Sequence, residues 1–225
     1  IKIGSGDIGN IPFLRYVGSQ KMPVIMSTGM SNLLDIHLSL QAVMESGEKN
    51  SIALMHCTTS YPCPFENVNL KAMETLKNEF GLTVGYSDHT LGVEVPIAAV
   101  AMGAKIIEKH FTLDKNFEGP DHKASVTPEE LKLLCEGIRA VEKSLGSSEK
   151  IVTVSEAKNK IVARKSIIAA RPIKKGETYT TENLTTKRPG NGISPMCWYD
   201  ILGKDAEMDF EEDQLIQDSR FSNQE

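Results

Sequence analysis

Over its first 145 residues the chain alternates short apolar runs with longer stretches that repeat on a helical period. Residues 1–4, 24–26, 51–55, 83–87 and 104–107 read as strands. Residues 12–17, 33–45, 70–80, 93–102 and 128–145 read as the helices between and after them. The run Ser51-Ile52-Ala53-Leu54-Met55 is apolar with little alternation, as in a strand covered on both faces. The last helix has the plainest start signal: Thr127 as N-cap, Pro128 first in the helix, then Glu129 and Glu130, with Gly146 to end it. Five β/α units in series predict a parallel sheet covered by helices.

Polar and glycine residues collect just after each predicted strand: Gly4-Ser5-Gly6-Asp7, Ser27-Thr28-Gly29, His56-Cys57-Thr58-Thr59, Ser87-Asp88-His89 and His110. A TIM (β/α)8 barrel builds its site from all its strand ends, whereas a doubly wound sheet binds at one switch point. The predicted α/β architecture is therefore the barrel. Five strands cannot close one, and the chain opens at Ile1 in mid-strand. About three further βα units are thus expected upstream, and residues 1–148 are the last five units of a partial barrel.

Residues 149–162 are charged and read as a linker with a helical turn. From 163 to 221 the periodic stretches shorten, with a turn at 172–176 and single helical turns at 182–184 and 200–203. This texture predicts a small β-rich domain with Ile167, Ile168, Ile173, Leu184, Ile201, Leu202 and Ile216 in its core.

Composition narrows the partners. A formal net charge of −5 argues against nonspecific nucleic-acid binding, which needs a basic surface. No apolar run approaches the roughly 20 residues of a membrane helix, and the first residues are unlike a signal peptide. The cysteines Cys57, Cys63, Cys135 and Cys197 form no CxxC pair, and Cys135 falls on the apolar stripe of the last predicted helix. A disulfide framework or structural zinc is not expected, and a reducing cytoplasm fits.

Two strand ends carry the sharpest chemistry. Alternation puts Ser87 on a face with His89, and Glu108 on a face with His110. Adjacent strands lie about 4.8 Å apart, so the two imidazoles could reach one ion; hydrogen-bonded loop histidines are the competing reading. Lys2 alternates with Gly4 and should point inward, where an ammonium is costly without an anion beside it.

The motifs Lys2-Ile3-Gly4-Ser5-Gly6-Asp7, Ser27-Thr28-Gly29-Met30, His56-Cys57-Thr58 with Tyr61-Pro62, Ser87-Asp88-His89-Thr90 and Glu108-Lys109-His110-Phe111 stand in order. Gly119-Pro120-Asp121-His122 and Lys187-Arg188-Pro189-Gly190-Asn191-Gly192 follow. Together they resemble the sialic acid synthase family, which includes N-acetylneuraminate and legionaminate synthases and spore-coat polysaccharide enzymes. The resemblance implies a TIM barrel joined to a SAF (antifreeze-like) domain, in a cytoplasmic, domain-swapped homodimer. It implies a transferase that condenses phosphoenolpyruvate with an N-acylated mannosamine-type sugar aldehyde and water, giving a nine-carbon 2-keto acid and phosphate. It also implies a divalent cation, manganese before magnesium because two imidazole nitrogens suit it better.

Residue by residue, the resemblance makes His89 and His110 the metal ligands and places Lys2, Ser5, Ser27, Thr59 and Ser87 around phosphate and carboxylate. Tyr61 and Asp121 serve the sugar, with His122 behind them as a supporting or capping residue. Glu108 orients the sugar, water or ligand shell, with a salt bridge at the barrel rim as its competing reading. Asp7 stands where the family often has glutamate, and Thr59 where it often has asparagine. Arg188 would reach the site of the partner subunit to hold the sugar's N-acyl carbonyl. The alternative to an enzyme is a catalytically incomplete fragment that serves only as a sugar-binding or dimerisation module.

Overall fold

The computed structural model describes residues 1–45 and 51–221 and divides into two compact units, Ile1–Ser147 and Ser148–Glu225. In the first unit β1 (Lys2–Ile3), β2 (Val24–Ser27), β3 (Ile52–Cys57), β4 (Thr83–Asp88) and β5 (Ile107–Lys109) stand side by side in chain order, all parallel. Helices α1 (Ile11–Ser19), α2 (Leu33–Met44), α3 (Ala72–Phe80) and α4 (Glu94–Ala101) make the crossovers that parallel strands require, and α5 (Pro128–Leu145) follows β5.

Register sorts the strand residues onto two faces. Ile3, Val24, Met26, Ile52, Leu54, Val84 and Tyr86 meet the helices and are buried in one core with Leu14, Val17, Ile36, Leu40, Leu76 and Phe80. The alternate positions, among them Lys2, Ser27, Met55, Cys57, Ser87 and Glu108, form the other face. On that face Lys2 Nζ of β1 lies 3.1 Å from Glu108 Oε1 of β5, although these are the two edges of the sheet. In a flat sheet four strand spacings would separate them by about 19 Å, beyond the combined reach of both side chains. The sheet is therefore curled into a half-barrel, with Lys2 and Glu108 on its concave side.

Sequence and structure differ at a few places. The strand β5 is assigned from Ile107, but its bonding to β4 runs back to residue 105, with Lys105 N donating to Val84 O at 2.9 Å and Ile106 O accepting from Tyr86 N at 2.8 Å; Ala104 N instead closes α4 onto Ala99 O. Cys135 is exposed rather than on the apolar stripe of α5, whose buried side chain is Leu134. None of the four cysteines, all among the described residues, is in a disulfide. The N-terminus of α5 carries a reciprocal cap, with Thr127 Oγ1 accepting from Glu130 N and Glu130 Oε2 from Thr127 N.

In the second unit the charged stretch read as a linker contains a ten-residue helix, α6 (Val154–Ala163). Its start signal is another capping box, Thr153 with Glu156. Next, β6 (Ser166–Ala169) pairs antiparallel with β7 (Leu184–Lys187), and α7 (Trp198–Ile201) closes a short turn. Leu184 both closes the expected helical turn, donating its N–H to Thr180 O at 3.2 Å, and opens β7; Asn183 Oδ1 accepts from Thr180 N at 2.7 Å within that turn. The core holds Ile167, Ile173, Leu184, Ile201 and Ile216 as expected, with Leu202 partly buried against it. Ile168 is buried outside that cluster, whose larger members Tyr179 and Phe210 come from irregular segments.

The concave face leaves little slack at its middle. A Cβ on Gly85 would lie 2.4 Å from Met55 Sδ and 2.6 Å from the carbonyl oxygen of Ile106, and the backbone atom cannot swing aside. Gly85→Ala is expected to lower the unfolding free energy by about 1–3 kcal/mol, read as a shifted urea midpoint at unchanged slope. An unshifted midpoint would show that this layer is loose.

Candidate active site

The ends of β4 and β5 are held in step by the pairs Ser87 with Glu108 and Asp88 with Lys109. Residues after them continue the alternation, so His89 and His110 emerge side by side with ring centres 5.4 Å apart. Tyr61, on the loop after β3, lays its ring 4.2 Å from that of His89 and 5.5 Å from that of His110. Tyr61 therefore packs on the two histidines, although it lies between serine and proline in a loop.

His89 is buried, and its Nδ1 sits 2.7 Å from the carbonyl oxygen of Thr58. Burial outweighs that contact and holds its pKa below the ordinary value, which keeps the ring neutral. A proton on Nδ1 facing the carbonyl leaves Nε2 with a free lone pair, the tautomer that a metal-bound histidine uses. An ion about 2.1 Å from one nitrogen of each ring would set the ring centres roughly 5 Å apart, close to what is observed. Asp121 Oδ2 lies 4.0 Å from Nδ1 of His110. Among the described residues no group of three or more histidine, cysteine or acidic side chains converges as a metal cage. The pair thus fits an ion that keeps open positions, not a closed structural site. His122 bonds Thr112 Oγ1 at 2.8 Å and so braces the loop carrying Asp121.

Behind this pair, on the helix-covered face, lies an arrangement that sequence reasoning missed. Asp88 and Lys109 form an ion pair at 2.5 Å with side chains 0% and 2% exposed. Asp88 also accepts from Tyr86 OH at 2.9 Å and from Thr90 N at 3.0 Å, and Lys109 donates to Thr90 O at 2.7 Å. Burial beside the Asp88 carboxylate pushes the Tyr86 pKa well up, so its hydroxyl stays a donor. A charged residue at a core-facing position of each neighbouring strand was the signal available.

On the concave face Glu108 Oε1 accepts from Ser87 Oγ at 2.8 Å as well as meeting Lys2. Farther along, Ser5 Oγ accepts from Gly29 N at 2.9 Å and touches Cys57 Sγ at 3.1 Å. Gly29 leaves room for them: a Cβ there would lie 2.4 Å from Thr59 Oγ1 and 2.8 Å from Ser5 Oγ and would push those hydroxyls aside. Ser27 Oγ is buried without a hydrogen-bond partner, facing the same side as Lys2. Asp7 is half-buried in the turn after β1, and Thr59 is exposed. His56, grouped above with the polar strand ends, turns to the helix face instead. It bonds Val68 O at 2.7 Å and lines a groove of about 920 Å³ between α2 and α3 that none of Lys2, Ser87, Glu108, His89 and His110 enters.

Arg188 belongs to the second unit. Its Nε donates to Ala163 O at 3.0 Å, and Gly190 N donates to Ile161 O, so the turn satisfies carbonyls left open at the end of α6. Ser166 Oγ donates to Pro189 O at 2.6 Å and accepts from Gly192 N at 2.8 Å, pinning the turn from its other side.

Comparison with known families matches residues 1–150 to the NeuB family and residues 164–222 to the SAF domain. The chain is 52% identical over 218 residues to the N,N'-diacetyllegionaminic acid synthase of Campylobacter jejuni subsp. jejuni serotype O:2, covering 96% of this chain and 65% of that protein. It is 46% identical over 211 residues to the enzyme of that name in Legionella pneumophila subsp. pneumophila, covering 92% and 59%. Among solved structures it resembles an N-acetylneuraminic acid synthetase from Leptospira borgpetersenii in complex with citrate, at TM-score 0.64 and 37% identity over 70% of this chain and 55% of that one. The chain thus spans about three fifths to two thirds of the length of these curated relatives.

The buried pair sets the prediction for this site. Lys109→Met strands a carboxylate in the core and is expected to cost about 3–5 kcal/mol of stability. Asp88→Asn combined with Lys109→Met removes both charges and should recover a substantial part of that loss. Urea denaturation of the two variants checks this; equal losses would mean that the charges act independently.

Proposed function

This chain belongs to the NeuB family, and on that premise we propose that it condenses phosphoenolpyruvate with an N-acylated mannosamine-type sugar to give a sialic-acid-type 2-keto acid and phosphate. The observation that carries this reading is the concave face of the half-barrel. A cation and hydroxyls, Lys2, Ser5, Ser27 and Ser87, lie along it, and the group of His89, His110 and Tyr61 stands at its strand ends.

In the proposed reaction C3 of phosphoenolpyruvate bonds to the aldehyde carbon, water adds at C2, and the C–O bond to phosphate breaks. Lys2, with Ser5, Ser27 and Ser87, holds the anionic groups, which are oxygen acceptors needing charge-assisted donors. Asp7, in the turn after β1, and Thr59, on the loop after β3, are assigned to the same end of the site. Asp7 stabilises positive charge at the enol carbon and takes a proton from the adding water. Tyr61 and Asp121 orient the sugar hydroxyls. His89 and His110 would hold a divalent ion, manganese in preference to magnesium, whose Lewis acidity polarises the sugar carbonyl. Both curated relatives above are named for diacetyllegionaminic acid, which supports a 2,4-diacetamido-2,4,6-trideoxy sugar as acceptor. Arg188 is assigned to the N-acyl group in a domain-swapped homodimer, supported by the rigid way in which Ser166 and α6 hold its turn. A cytoplasmic setting suits phosphoenolpyruvate as substrate, and no described helix is long and apolar enough to cross a membrane.

A second reading, a binding or dimerisation module without turnover, is favoured by the two sheet edges, since among the described residues β1 and β5 each pair with one strand. One assay separates the two. The protein is incubated with phosphoenolpyruvate, Mn2+ and in turn N-acetylmannosamine, its 6-phosphate or the 2,4-diacetamido sugar, and free phosphate is measured. Release that requires an acceptor, greatest with the diacetamido sugar, is expected. No release with any acceptor would sink the synthase reading. His89→Ala and His110→Ala should each weaken Mn2+ binding by at least roughly tenfold, measured by titration of the metal alone; unchanged affinity in both would remove the metal site.

A further inference from the structure

Lys2 and Ser87, two of the groups given above to the anionic substrate, already have an anion between them. Glu108 Oε1 receives Lys2 Nζ at 3.1 Å and Ser87 Oγ at 2.8 Å, so one carboxylate oxygen takes a cation from β1 and a hydroxyl from β4. Ser87 has a single proton to donate. A phosphate or carboxylate oxygen that takes that proton must displace Glu108 Oε1, or it remains beside a like charge. The contact is displaceable in kind, because the Lys2 and Glu108 side chains are 34% and 44% exposed and water can solvate either partner once it is released.

From this geometry we infer that Glu108 is a resident counter-anion of the substrate cradle, a positioning residue that an incoming phosphoenolpyruvate or inorganic phosphate displaces from Lys2 and Ser87. The carboxylate shares its face with His110, one alternation farther along the chain, so its release frees an acceptor beside the histidine and tyrosine group. Occupancy of the anion subsite and the state of the sugar end are thereby linked through one side chain. The inference rests on the proposed function for the identity of the cradle, but not on turnover.

The test is a double-mutant cycle read by calorimetric titration with inorganic phosphate, without sugar, using the wild-type protein, Glu108→Gln, Lys2→Met and the double variant. Glu108→Gln should bind phosphate up to about fivefold more tightly, and this gain should vanish when Lys2 is methionine. A second cycle with Ser87→Ala should show the same loss of effect with no change of charge at the partner. If the gain persists undiminished in both backgrounds, Glu108 acts only through its general field and the inference is overturned while the cradle stands. If phosphate binds none of the proteins, the inference and the proposed cradle fall together.

Discussion

The buried ion pair between Asp88 and Lys109 is the constraint on which the site depends. Each charge sits immediately before a histidine, Asp88 before His89 and Lys109 before His110, on neighbouring strands. Linking them at 2.5 Å from the helix side leaves the two imidazoles only one relative position on the other side. Such a pair is a poor source of net stability, since removing two charges from water cancels much of their attraction. What it supplies is uniqueness. A one-residue slip of β5 against β4 would turn Lys109 to the concave face and His110 away from His89, leaving Asp88 buried without its cation, so the native register is the arrangement in which every acceptor of Asp88 is met. Tyr86, Thr90 and Lys109 together meet them.

The second constraint is curvature. Helices cover one face of the parallel sheet and supply its core, so the strands must place their polar residues on the other face or at their ends. Curling then converts a row of separate side chains into a concave surface. Residues more than a hundred apart in sequence, such as Lys2 and Glu108, meet across it. Met55 and Gly85 pack at the middle of that surface, and the polar groups lie at its C-terminal end, where barrels of this kind do their chemistry.

Much of this was legible in the chain because the information is local. Strands, helices and the capped start of α5 follow from period and end signals, and the polar strand ends follow from alternation. Less local features were not. The exposure of Cys135 turns on a single position along α5, and the role of His56 depends on which way one strand residue faces. The contact of Tyr61 with both histidines depends on loop geometry that no periodicity encodes. Helix α6 is a different case: Thr153 and Glu156 spell a capping box in the sequence, but the charged residues around it obscure the signal. In the second unit Tyr179 and Phe210 come to the core from segments with no regular pattern at all.

The two faces of the half-barrel use the same chemistry for opposite ends, and burial decides which. Lysine meets a carboxylate on both faces. On the helix side water is excluded, the charges carry supporting hydrogen bonds, and separating them would leave each in a poorly polarisable interior, so the pair behaves as a fixed strut. On the concave side both partners are partly solvated, exchange for another anion costs little, and the pair behaves as a replaceable contact. The proposed site, which would hold two rings at one spacing and admit a charged ligand, draws on both kinds. Exchanging their positions would defeat each: a solvated strut would yield the register, and a buried contact would refuse the ligand.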